Sequence, residues 1–134
     1  MRQSKVASDV GFVEKLDLEA EIGNLESLMP WPKGLTSRML LKSADLRILL
    51  IAMQAGAIMK EHHSDGRTSI HLLRGRIRIR VAGQVQELSP QQVLLLDRSV
   101  KHDVKAIEPS VFLLTIAWPT DKDLIGMEHR GYGS

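Results

Sequence analysis

The chain contains no cysteine. That absence excludes a disulfide framework, a thiolate metal centre and a cysteine nucleophile, so any metal would rest on histidine, aspartate or glutamate. An excess of one charge is missing as well: 18 Lys and Arg stand against 16 Asp and Glu, a formal +2, too little to mark nucleic acid or an anionic membrane as a partner. Long hydrophobic runs are also wanting. The stretch Ile48 to Met53 falls far short of the ~20 residues of a membrane span, and the opening MRQSKVASDV has no apolar segment of the secretory type. The expectation is a cytoplasmic protein with neither a membrane nor a nucleic acid as partner. No internal repeat or low-complexity tract is visible. At 134 residues the chain fits one domain that buries roughly two-thirds of its unfolded surface.

What is present from Leu35 onward is a series of short Val-, Ile- and Leu-rich runs separated by turn residues, the pattern of an antiparallel sandwich or barrel. Strands are expected at about 36–42, 46–54, 57–63, 68–74, 76–81, 85–88, 92–96, 101–106 and 110–118. In Arg76-Ile77-Arg78-Ile79-Arg80-Val81 strict alternation puts three cations on one face and three β-branched residues on the other, so that strand is half buried. The following Ala82-Gly83 turn implies a hairpin. Residues 1–34 form an N-terminal arm in which Leu18, Ile22 and Leu25 fit one helical face, and Pro30 and Pro32 around Trp31 end whatever element it contains. The glycine-containing segment 119–134 reads as a C-terminal tail.

The chemistry concentrates in Glu61 to Gly75, EHHSDGRTSIHLLRG, which holds His62, His63 and His71. Adjacent residues of a strand point to opposite faces, so His62 and His63 cannot share one ion without a bulge; His63 is expected at the surface. His71 is expected as a packed or surface residue, rejoining the site only if Thr68-Ser69 is bulged, and His129 lies in the tail. Alternation places His62 with Lys60 and Ser64, and His102 with Val104 and Ala106 on an apolar face. The series Arg74, Arg76, Arg78, Arg80 suits phosphate or carboxylate, but a solvated outer sheet face with arginine stems over apolar surface accounts for it better. Gly66 and Gly83 are turn glycines, because neither introduces a helix N-terminus.

The order Gly56-AIMKE-His62-HSDGRTSIHLLR-Gly75 resembles the first cupin motif, and LSPQQVLLLDRSVKHDV, Leu88 to Val104, resembles the second with His102 in the histidine place. The likeness spans about residues 36–118. It implies an all-β fold, the double-stranded β-helix barrel of jelly-roll type, commonly dimeric. In metal-binding cupins the first motif supplies His-x-His and a glutamate, and the second supplies one more histidine. Carried over, the first histidine place falls on His62, the second on Ser64, the glutamate place on Thr68 and the last on His102; Gln92 and Asp97 depart further from the second motif.

Two functions follow from the resemblance. In one, the barrel holds a small organic ligand, or serves a non-catalytic dimeric scaffold, with His62, Ser64, Thr68 and His102 as polar lining. In the other, a metal-dependent oxygenase or isomerase binds Fe, Mn, Ni or Zn through His62 and His102. Two histidines fall short of the usual three protein ligands, which favours the first. A homodimer is expected from uncovered sheet edges and an arm able to reach a neighbour. Both histidines are expected to face one cavity inside the barrel.

Overall fold

The structure, a computed structural model, describes residues 13–118. Asp17 caps a helix, α1 (Leu18–Glu26), its carboxylate accepting from the Ala20 N–H at 3.2 Å. A single 3₁₀ turn (Pro32–Gly34) then leads into nine strands: β1 (Leu35–Lys42), β2 (Leu46–Met53), β3 (Ile58–His62), β4 (Arg67–Arg74), β5 (Ile77–Val81), β6 (Gln84–Leu88), β7 (Val93–Leu96), β8 (His102–Ala106) and β9 (Ser110–Ala117). Each lies within about two residues of its expected place. No helix among the described residues is long and apolar enough to cross a membrane.

The strands form two antiparallel sheets, one in the order β1-β2-β9-β4-β7 and the other β3-β8-β5-β6. Their inner faces enclose the core: Ile51, Met53, Ile70, Leu72, Phe112 and Leu114 from the first sheet, Ile77, Ile79, Val104 and Ala106 from the second. This is the jelly-roll arrangement that the strand pattern implied. In β5 the alternation holds, with Ile77 and Ile79 fully buried while Arg78 and Arg80 are exposed.

The first sheet also carries a second apolar layer on its outer side. Ile22 and Leu25 of α1, together with Trp31, pack on Leu40, Leu50, Ala52 and Val111. Burial on both faces explains why β2 reads as a continuous apolar run. The helix ends at Ser27, before the prolines, and Trp31 is held by its indole N–H donating to the Leu25 carbonyl at 2.9 Å. Among the described residues of the arm, Ile22, Leu25 and Trp31 are thus packed on the protein's own sheet, whereas Val13, Leu28 and Met29 are exposed.

The arginine series divides. Arg74 lies at the end of β4 and pairs with Glu19 of α1, whereas Arg76, Arg78 and Arg80 border or lie on the outer face of β5. Arg76 and Arg78 both approach Glu87, at 3.2 and 3.6 Å, and Arg80 lies 4.0 Å from Asp103. These are half-exposed pairs on a solvated face.

Candidate functional site

One end of the barrel gathers the β1–β2 turn, the loop from His62 to Arg67, the β5–β6 turn, the loop from Asp97 to Lys101 and the end of β9. The loop after β3 and the loop after β7 are tied by the Ser99 N–H donating to the Ser64 carbonyl at 2.8 Å. Gly66 lies beneath this end so tightly that a Cβ there would come within 2.7 Å of the Ala117 carbonyl and 3.0 Å of the Trp118 ring. Close packing, more than turn geometry, is what requires glycine at 66.

His62 and His102 meet here. They are opposite each other in the β3–β8 pairing, with Val81 next in the row, and their ring centroids are 4.2 Å apart at an interplanar angle of 59°. His102 is 3 % exposed and shares the inner face with Val104 and Ala106, as expected. His62 arrives by a different route from the one alternation suggested. Met59 pairs with Val104 and packs on the core, Lys60 is exposed, and the register slips between Met59 and His62. A β-bulge inserts one residue against β8 and turns His62 back to the side of Met59, so strict alternation through Lys60 does not describe this strand.

Both rings are held alike. Nδ1 of His62 lies 2.8 Å from the Lys60 carbonyl, and Nδ1 of His102 lies 3.1 Å from the Val100 carbonyl. A carbonyl only accepts, so each Nδ1 carries a proton, and in the neutral ring the lone pair is on Nε2. Neither Nε2 has a hydrogen-bond partner among the described residues. Burial pushes the His102 pKa below its ordinary 6.5; the Val100 carbonyl opposes this, and the charge of His62 lowers it further. His102 is therefore a neutral acceptor near pH 7.

Of the remaining expected residues, Thr68 is buried on the inner face of the first sheet at the same end, paired with Leu96 and Ile116. Its hydroxyl makes only a 3.5 Å contact with the Gly66 carbonyl. Ser64 is half buried in the loop, and its Oγ accepts from the Gly66 N–H at 3.1 Å. His63 is exposed. His71 faces outward from β4, which is regular at Thr68-Ser69, and its Nε2 lies 3.0 Å from Gln91 Oε1. His129 lies outside the described residues.

The donor set does not fit the metal site that the resemblance implies. Two imidazoles are present, but the other two positions are hydroxyls, and no group of three His, Asp or Glu residues converges among the described residues. Hydroxyls of Ser and Thr are poor ligands for the divalent metals that such sites select.

Arg47 escaped the sequence reading. It sits on the inner face of β2, in register with Ile116, which is in turn in register with Thr68. The signal was present: in Arg47-Ile48-Leu49-Leu50-Ile51-Ala52-Met53 the single cation falls in step with Leu49, Ile51 and Met53, which face the barrel interior.

Two facing antiparallel sheets with a histidine pair at one mouth define a small barrel of the jelly-roll class, and solved structures identify the variety as the cupin fold. A conserved protein of unknown function from Streptococcus pyogenes superposes with a TM-score of 0.67 at 21% identity, over 87% of this chain and 94% of that one. A cupin superfamily protein from Desulfitobacterium hafniense gives 0.63 at 23%, over 69% and 86%. The DMSP lyase DddQ from Ruegeria pomeroyi gives 0.60 at 16%, over 66% and 49%. Among protein-family models and curated proteins nothing matches the chain. At these identities the likeness establishes the fold and leaves the activity open, since the neighbours include an enzyme and a protein of unknown function.

Proposed function

We propose that this cupin-fold protein binds a small organic ligand at the barrel mouth, with His62 and His102 as paired hydrogen-bond acceptors and Thr68 across from them. The observation that carries this reading is the state of the two rings: side by side, each Nδ1 engaged by its own chain, each Nε2 without a partner. Two adjacent acceptors left open beside an apolar face favour a ligand that donates hydrogen bonds. A hydroxyl, amine or amide group meets that requirement. The fit to a metal-dependent oxygenase or isomerase is weaker, for want of a third ligand.

The test is a two-dimensional NMR screen of the histidine ring signals against a library of small polar compounds. Binding at the site moves the His62 and His102 rings together and leaves His71 in place. A ligand that moves His71 and neither of the others would contradict the assignment. Metal analysis of untagged protein separates the second reading, which requires near-stoichiometric Fe, Mn, Ni or Zn.

We also propose a homodimer. Its support is a sheet edge: among the described residues β7 pairs only with β4, and Val93 and Leu95 on its outer side are exposed with no charge or bulge within the strand to protect the edge. Light scattering at micromolar concentration decides this, with a monomer as the contrary result.

A further inference from the structure

We infer that the ligand of this site is an organic carboxylate whose anionic end is received by Arg47; the inference rests on the barrel-mouth reading above and names the ligand class. Arg47 occupies the same cross-strand row as Ile116, Thr68 and Leu96 on the inner face of the first sheet. The row His62, His102 and Val81 occupies the same end of the second. Facing sheets stand about 10 Å apart, so the imidazole pair and the guanidinium address the two ends of one small molecule.

Three observations point to an anion. The Nε of Arg47 is buried and has no hydrogen-bond partner, and no carboxylate among the described residues pairs with Arg47. By contrast, Arg38, Arg67, Arg74, Arg76, Arg78 and Arg80 all have acidic partners. Second, the guanidinium carbon lies 5.0 Å from the centroid of the Trp118 ring. Stacking takes up a face of the group and leaves its edge, where the N–H donors lie, for a planar oxyanion. Third, the neighbour of Arg47 on β1 is Lys42, so the row carries two cations and no acid.

A carboxylate suits the site better than a phosphate. Lys42 is exposed, so the one half-buried guanidinium, beside Ile116 and Trp118, matches a single negative charge, whereas a dianion in this apolar setting would keep an uncompensated charge.

The experiment titrates the full chain with benzoate and hexanoate, their uncharged amides, and phenyl phosphate, following the Arg47 Nε–H, the Trp118 indole N–H and the histidine rings by NMR. The expected result is that the carboxylates shift all three sets of signals and bind at least tenfold more tightly than the amides. Arg47→Gln should weaken carboxylate binding by roughly 10- to 100-fold, the worth of a charge-assisted hydrogen bond, with Arg47→Lys in between. The comparison of acid with amide needs no substitution and stands even if a variant folds poorly. Amides binding as tightly as acids while the histidine rings shift would overturn the role of Arg47 and leave the site intact. Phenyl phosphate outbinding benzoate would overturn the choice of carboxylate. If no probe moves His62 or His102, the barrel-mouth reading fails and this inference fails with it.

Discussion

Replacing Gly75 by alanine separates two costs that are usually mixed. Gly75 joins β4 to β5 with φ of +87°, and an alanine Cβ there would lie 2.2 Å from the Pro109 carbonyl and 2.7 Å from Ser110 Cα. The left-handed conformation costs a residue with a Cβ about 1–2 kcal/mol. The clash adds about 1–3 kcal/mol, the usual range for overpacking. Relief by moving the β8–β9 turn is opposed by Ser110 Oγ, which accepts from the Arg76 N–H at 3.0 Å and lies 2.7 Å from the Glu108 carbonyl. Gly83, in the β5–β6 turn, is the control: its φ is +74°, but nothing lies within 4 Å of an added Cβ. Gly83→Ala should therefore cost only the conformational part. Urea unfolding of the two variants should place Gly75→Ala about 1–3 kcal/mol below Gly83→Ala. Equal losses would refute the close approach of Gly75 to the β8–β9 turn.

Ile79→Ala, at a fully buried position between the sheets, should cost about 2–5 kcal/mol in the same assay; a loss under 1 kcal/mol would mean that the second sheet does not close the core. Arg76→Glu with Arg78→Glu removes two half-exposed contacts to Glu87 and should cost no more than about 2 kcal/mol, whereas a much larger loss would place that face in an interface. The His102 pKa is lowered by burial, so below its ordinary 6.5 the unfolded chain takes up the proton more readily than the folded one. Stability should then fall as pH drops from 7.5 to 5.5, by less in His102→Asn; an unchanged difference between wild type and variant across that range would contradict the neutral, buried ring.

Much of the fold could be read from turn residues and alternation, since β5 shows Ile77 and Ile79 inward with Arg78 outward, and β8 shows His102, Val104 and Ala106 inward. Three features could not. The bulge in β3 leaves no mark in Ile58-Met59-Lys60-Glu61-His62, because the extra residue is defined only by its partner on β8. The helical face of α1 was legible in Leu18, Ile22 and Leu25, but not the surface that covers it: Ile22 and Leu25 are buried by Leu40, Leu50 and Val111, residues distant in the chain. Arg47 stood in plain view, but the continuous apolar run Ile48 to Met53, buried on both faces, hides the alternation that points Arg47 inward and Leu50 toward the helix.

The central claim is that two imidazoles sit together at the barrel mouth, each with Nδ1 held by a backbone carbonyl and Nε2 open. Long-range proton–nitrogen NMR at pH 7.5 reads the tautomer of each ring directly. The structure requires the Nδ1–H form for both His62 and His102, set by the carbonyls of Lys60 and Val100. The Nε2–H form in either residue, or a protonated His102, would contradict it.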